Sequence, residues 1–266
     1  MRANKSLGQN FLVDPNFQRK IVEALGVDTE DEVLEIGSGR GALTCHLVGR
    51  VRRLVLVELD DRLVADLRDR WGARPDVLIV HADALSLDLG PLATSPETLK
   101  VVGNIPYNIT SPLLFRLLER PRPAEILVMV QREVADRILA DPGTAAYGAL
   151  AVGVRSVADV EKVLQVPRQA FRPVPGVDST VIRMTPHAPP RLSEVEEADL
   201  RAVVRAVFQW RRKQLQKILR DHPDLLVEKD ALGPLANAIG MELTVRPEVL
   251  SSDAFIALSR ALGARP

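Results

Sequence analysis

The stretch Glu32-Val33-Leu34-Glu35-Ile36-Gly37-Ser38-Gly39-Arg40-Gly41 runs a short apolar-rich segment directly into alternating glycines, after which Ala42 to Val48 read as helical. Glycine at a strand-to-helix turn lets a ligand approach the backbone, and the helix start offers free N–H groups. The pattern therefore predicts a nucleotide site at the end of a strand. Outward from it, Leu54–Glu58, Val77–Val80, Lys100–Val102 and Glu125–Val130 are short runs rich in Val, Ile and Leu, with helical stretches between them. Consecutive apolar residues mark strands buried on both faces, and their alternation with helices predicts a parallel sheet with crossover helices. Two further runs, near Val160–Val166 and Thr180–Met184, would close the sheet with an antiparallel pair.

The rhythm breaks at Pro186-His187-Ala188-Pro189-Pro190, because clustered prolines deny both helix and central-strand hydrogen bonding. A boundary there gives two expected domains, 1–187 and 188–266. In the tail, Ser193 followed by Glu196 has the spacing of a capping box, and Leu200, Val203, Val204, Val207 and Phe208 share one helical face, so a small all-helical domain is expected. The chain has 266 residues, 46% hydrophobic and 26% charged, which excludes extended disorder. Met1 to Asn10 lack the apolar run of a secretory signal, and the lone Cys45 cannot form an internal bridge, so cytoplasm is the expected location. No stretch predicts a membrane span. Lys and Arg total 35, as do Asp and Glu, so any contact with nucleic acid must be local. One basic run offers it: Arg201, Arg205, Arg211, Arg212, Lys213, Lys217 and Arg220 follow one another without an acidic residue between them. Taken alone, this run reads more readily as a solvated helix face.

The glycine loop spaces its third glycine one residue too early for G-x-G-x-x-G, which disfavours a dinucleotide. Glu58 ends the next strand twenty-one positions after Gly37, where a carboxylate accepts from ribose hydroxyls. Asp83 follows the third strand and would either accept from an adenine amino group or cap the next turn. The spacing E-x-G-x-G-x-G with an acid on the second strand resembles the S-adenosylmethionine loop of class I methyltransferases, although an ordinary tight turn uses the same residues.

The fourth strand ends at Asn104-Ile105-Pro106-Tyr107. A proline turn at a strand end is common, but it requires neither Asn104 nor Tyr107. Methyl transfer to an aromatic amine uses both. The lone pair of that amine is delocalised into the ring, so the barrier falls when acceptors draw the nitrogen toward tetrahedral geometry. The Asn104 side-chain oxygen and the Pro106 carbonyl are the expected acceptors, with Tyr107 stacked on the base. Alignment of nitrogen with the methyl group is worth on the order of 7–11 kcal/mol in favourable cases. No metal is expected. The tetrapeptide spacing also occurs in DNA adenine and protein glutamine methyltransferases, so it specifies planar amine chemistry and not the substrate. A base amine must also be unpaired or flipped to be reached.

Together with Ser6-Leu7-Gly8-Gln9-Asn10-Phe11-Leu12, these motifs resemble the ribosomal RNA adenine dimethyltransferase family. Gln131 to Ala135, Tyr147-Gly148, Phe171-Arg172-Pro173, Val177-Asp178-Ser179 and Phe208 to Lys213 fall in that family's order and spacing, so the likeness spans nearly the whole chain. It implies a Rossmann-like class I domain, S-adenosylmethionine as cofactor, and cofactor contacts from Asn10, Leu12, Gly37, Glu58, Asp83 and Asn104. It implies RNA contact by Arg211, Arg212, Lys213 and Lys217, and action on an assembling small ribosomal subunit; a monomer is the default expectation. Gly8 before Gln9 matches the branch that dimethylates two adjacent adenines in the last hairpin loop of small-subunit rRNA. The alternatives are the branch that modifies large-subunit rRNA, and a noncatalytic assembly factor. Ser38 and Ile105 stand where proline and leucine are frequent, and neither change removes a functional group. Aromatic residues make up only 4% of the chain, which favours recognition of folded RNA by shape and charge over a base-stacking platform.

Overall fold

The structure, a computed structural model, describes residues 8–263, so Ser6 and Leu7 of the opening motif lie outside the described residues. After β1 (Phe11–Leu12), helix α1 (Pro15–Leu25) begins where Asp14 accepts from the Asn16 N–H and stops at Gly26, whose φ of 58° ends the helical path. Its apolar face buries Ile21, Val22 and Leu25. Next come β2 (Glu32–Ile36), the short α2 (Thr44–Leu47), β3 (Arg53–Glu58), α3 (Asp61–Trp71), β4 (Val77–His81), β5 (Lys100–Asn104), α4 (Thr110–Leu117) and β6 (Glu125–Gln131). The expected helix over 42–48 is thus reduced to four residues. Two helices follow, α5 (Arg132–Leu139) and α6 (Ala149–Arg155), then β7 (Ala158–Val166), β8 (Phe171–Arg172) and β9 (Ser179–Pro186).

Seven strands make one sheet in the order β4-β3-β2-β5-β6-β9-β7. β2 to β6 run parallel, and β9 lies antiparallel to β6. All five residues of β2 are buried, as expected for a strand covered on both faces, whereas the edge strand β4 is only half-buried. The chain enters the sheet at its centre, moves to one edge, then returns to the other side of β2, which leaves a topological switch between β2 and β5. Register brings Ile36 beside both Val57 and Gly103, and Glu58 beside His81, so the carboxyl ends of four strands share one edge. That is where open α/β sheets bind ligands. Outside this sheet, β1 and β8 form a two-stranded antiparallel ladder pairing Phe11 with Arg172 and Leu12 with Phe171.

The remaining helices are α7 (Glu194–Gln209), α8 (Leu215–Asp221), α9 (Leu232–Ile239) and α10 (Ser252–Gly263). At the start of α7 the Ser193 N–H donates to Glu196 Oε2 at 2.7 Å and the Glu196 N–H to Ser193 Oγ at 3.2 Å, the reciprocal box read from the sequence.

The chain divides into two compact units, 1–135 with 159–186, and 136–158 with 187–266. The expected division at 187 therefore needs correction for one segment: 136–158 belongs to the helical unit. The reason is packing, because Tyr147, Ala151 and Val152 are buried in one cluster with Leu200, Val204 and Phe255. The Tyr147 hydroxyl donates to the Leu250 carbonyl at 2.7 Å, and Tyr147 meets Phe208 edge-on at 6.4 Å. Among the described residues no helix is long and apolar enough to cross a membrane.

Candidate active site

Gly37, Gly39 and Gly41 adopt φ values of 67°, 57° and 73°, a region that disfavours side chains, and their loop hooks over β3 through the Gly37 N–H, which donates to the Val57 carbonyl at 2.9 Å. Ser38 also donates its N–H to Val57, at 3.3 Å, a bond proline could not make. Beneath the loop, Glu35 is 2% exposed and accepts from Thr44 Oγ1 at 2.5 Å; burial pushes its carboxyl up to about 8, with Thr44 opposing the shift.

Glu58 sits at the end of β3 with its carboxylate already organised. Oε2 accepts from the Gly39 N–H at 2.8 Å, and Oε1 from the Leu59 and Asp60 N–H groups at 2.8 and 2.9 Å. A carboxylate has about four acceptor sites, so capacity remains for a ligand hydroxyl. Asp60 caps α3 and is bound by the Arg62 fork, with Nε to Oδ1 at 3.0 Å and Nη2 to Oδ2 at 2.7 Å. Those bonds, helped by one from Gln9, hold its carboxyl well below the usual carboxylate range. Asp83 caps a short turn, Oδ1 accepting from the Leu85 N–H at 2.9 Å, and the residue also lines the cavity.

That cavity, of about 290 Å³, opens at the shared strand edge. It brings together Asn10, Gly37, Glu58, Asp83, Asn104, Pro106 and Tyr107. Ile36, Val57 and Leu63 add apolar wall, so apolar surfaces meet carboxylate acceptors and the glycine loop. This donor and acceptor set fits a nucleoside-bearing cofactor.

Asn104 donates Nδ2 to the Asn10 carbonyl at 2.8 Å. A carbonyl only accepts, so this bond fixes the amide with its oxygen turned elsewhere, free to accept. The Tyr107 hydroxyl shares a hydrogen bond of 2.9 Å with Ser179 Oγ, and burial pushes its phenol up, keeping the ring neutral.

Three expectations change. The Pro106 carbonyl already accepts from the Ile109 N–H and from Thr110 Oγ1, both at 3.2 Å, so its lone pairs are used in starting α4 and not in receiving an amine. The adjacent Ile105 carbonyl, by contrast, has no hydrogen bond among the described residues, while the Ile105 N–H is held by the Met129 carbonyl at 3.1 Å. The Leu12 side chain is 4% exposed and packs in the core with Ile21 and Leu25, so the residue lines only a small adjoining cavity with Phe11, Gly37 and Asn104, while Phe11 faces the main one. Arg211 pairs with Glu248 at 2.9 Å and donates to the Ala145 carbonyl at 3.0 Å, so it ties the helical unit together. Arg212, Lys213 and Lys217 are exposed. Sequence reasoning missed Ser179, Asp60 and Arg62 as supports of the site; Ser179 lay within a quoted motif, but its link to Tyr107 spans 72 positions.

Comparison with known proteins agrees with this geometry. Relatives called Ribosomal RNA small subunit methyltransferase A are 42% identical in Geobacter metallireducens, covering 98% of this chain and 96% of the relative, and 40% identical in Geobacillus thermodenitrificans, covering 97% and 90%. A crystal structure of a dimethyladenosine transferase from Plasmodium falciparum superposes with a TM-score of 0.80 at 26% identity, covering 93% of this chain and 95% of that one. The 23S rRNA methyltransferase ErmE superposes with a TM-score of 0.70 at 28% identity, covering 95% and 99%. The sequence pattern described as Ribosomal RNA adenine dimethylase matches residues 1–242, and the chain belongs to that family.

Proposed function

We propose that this enzyme transfers methyl groups from S-adenosylmethionine to N6 of two adjacent adenines in the 3′-terminal hairpin loop of small-subunit rRNA, during subunit assembly in the cytoplasm. The observation that carries the chemistry is the Asn104 amide, turned by the Asn10 carbonyl so that its oxygen is left as an acceptor beside Tyr107. The small-subunit target is supported by the names of the relatives near 40% identity, whereas the 23S enzyme ErmE is 28% identical.

When bound, the cofactor supplies a methyl group on a positively charged sulfur. Gly37 would line its loop, Glu58 would receive a ribose hydroxyl with its remaining acceptor capacity, and Asp83 Oδ2 would receive the adenine amino group. Asn10 would close the methionine end. For the target base, Asn104 Oδ1 and the Ile105 carbonyl are the two acceptors that draw the amine nitrogen out of conjugation. Tyr107 stacks on the ring, braced by Ser179. No covalent intermediate is required, and positioning supplies much of the acceleration. Among the described residues no buried base is dedicated to the proton lost from nitrogen after transfer, which passes to solvent.

Arg212, Lys213 and Lys217, joined by the exposed Arg205, would contact rRNA phosphates and position the substrate without reading its sequence. Arg211 supports that surface from beneath. Transfer of labelled methyl groups to undermethylated small and large subunits in parallel, with mass mapping of modified nucleotides, tests the whole reading. Two neighbouring dimethyladenines in the small subunit are expected. Label confined to the large subunit would move the target, and cofactor binding without transfer would leave an assembly factor.

A further inference from the structure

Gly8, Gln9, Asn10 and Phe11 form one wall of the cavity, contributed by a segment that precedes the sheet altogether. On one side this segment is secured by the β1–β8 ladder and by the Asn10 carbonyl, which receives the Asn104 amide. On the other it is secured by Gln9, whose Nε2 donates to Asp60 Oδ2 at 3.0 Å, reaching 51 positions along the chain. Asp60 is a firm anchor: it is 6% exposed, gripped by Arg62, and donates its own N–H to Glu58 Oε1. A carboxylate oxygen only accepts, so the amide must present its nitrogen there.

We propose that Gln9 is a positioning residue for the methyl donor: its bond to the Asp60 carboxylate holds the 8–12 segment across the mouth of the cavity and thereby sets how fast the cofactor leaves. The proposal rests on the assignment of S-adenosylmethionine to this cavity. Gln9 need not touch the cofactor for the effect, because the bond tensions a segment already fixed at Asn10.

The test uses the full-length wild type, Gln9→Ala and Gln9→Glu, with the affinity for S-adenosylmethionine read by calorimetry and its dissociation rate by stopped flow. Loss of a hydrogen bond to a charged acceptor predicts roughly tenfold weaker binding for Gln9→Ala, carried mainly by faster dissociation. In turnover the loss should fall on KM for the donor and not on kcat. Gln9→Glu sets two carboxylates against each other, so at pH 8 it should bind more weakly than Gln9→Ala. As pH falls toward 5 its protonated side chain can donate to Asp60 again, and affinity should return. The charged groups around that contact are Asp60, Arg62, Glu58, and the Asp61–His81 pair at 3.3 Å; wild type and Gln9→Ala measured at each pH supply their background. Recovery in Gln9→Glu alone is a signature that simple loss of structure would not produce. An unchanged dissociation rate in Gln9→Ala, or a Gln9→Glu variant that tracks Gln9→Ala at every pH, overturns the proposal. Failure of the wild type itself to bind S-adenosylmethionine would overturn the cofactor assignment, and the proposal with it.

Discussion

Glu35 offers a perturbation whose sign and size follow from its surroundings. Its carboxyl is fully buried under the glycine loop, and burial lifts its pKa from the ordinary 4.5 to about 8. Between those values the folded protein holds a proton that the unfolded chain releases, so stability is greatest below pH 4.5 and falls as pH rises, levelling off above 8. Each unit of difference corresponds to about 1.4 kcal/mol, so at pH 7 the cost is about 3 kcal/mol and its ceiling above pH 8 is on the order of 5 kcal/mol. Glu35→Gln has the shape of the protonated acid, keeps an oxygen for Thr44 Oγ1, and has nothing to ionise. The variant should match the wild type near pH 4 and exceed it by about 3 kcal/mol at pH 7, a rise in Tm of roughly 5–10 °C at this chain size. Urea titrations of both proteins at pH 4.5, 6, 7 and 8.5 measure the difference directly, and titrating groups remote from Glu35 cancel between them, leaving only its coupling to Glu58 and Cys45. A stability difference that stays flat across this range, or that favours the wild type at pH 8.5, refutes the argument that burial dominates at this site.

Asn104→Ala should lower kcat by roughly 10²–10³-fold through loss of one acceptor on the reacting amine, with S-adenosylmethionine affinity read separately by calorimetry; retained turnover would sink the mechanism. Tyr107→Phe keeps the ring but loses Ser179, so single-turnover rates should drop severalfold, whereas Tyr107→Ala should cost far more. At Gly41, where φ is 73° and an added Cβ would lie 2.2 Å from the Trp71 ring, Gly41→Ala should destabilise by at least about 2 kcal/mol in denaturant titrations. Replacing Arg212, Lys213 and Lys217 together by Gln should raise KM for the subunit and reduce the slope of log affinity against log salt by about one per lost contact. Arg211→Gln should instead lower the melting temperature, since its guanidinium is spent on Glu248 and the 144–145 carbonyls.

Much of the sheet was legible because strands covered on both faces leave apolar runs: β6 does so from Ile126 to Val130, and β2 and β5 carry the shorter pairs Val33-Leu34 and Val101-Val102. The Asn104 to Tyr107 loop was legible for a different reason, since few purposes require an amide and a phenol around one proline. The β1–β8 ladder has two residues per strand, too few for any period to register. Yet the period still decides Leu12: neighbours in a strand face opposite ways, so a Phe11 turned to the cavity sends Leu12 into the core. The use of the Pro106 carbonyl depends on how the chain turns afterwards, where Ile109 and Thr110 reach back to it. Gln9 stood out as part of the opening motif and Asp60 did not stand out at all; they lie 51 positions apart, and only the fold makes them partners. The segment 136–158 carries apolar runs like those of any crossover helix, so its allegiance to the helical unit had no local mark.

That allegiance has a consequence for biosynthesis. The helical unit is assembled from two stretches of chain, and the bond from Tyr147 to Leu250 closes across 103 positions. At about 5–20 residues per second, synthesis leaves an interval of roughly 5–20 s between the appearance of the first stretch and that of its last partners. Throughout it Tyr147, Ala151 and Val152, all buried in the finished protein, lack the last members of their cluster, Leu250, Phe255 and Ile256. The catalytic sheet, whose last strand is complete at Pro186, can close long before. A nascent chain therefore passes through a stage in which its chemistry is assembled while a greasy hairpin-length insert waits, making this insert the natural place for chaperone capture or aggregation on the ribosome.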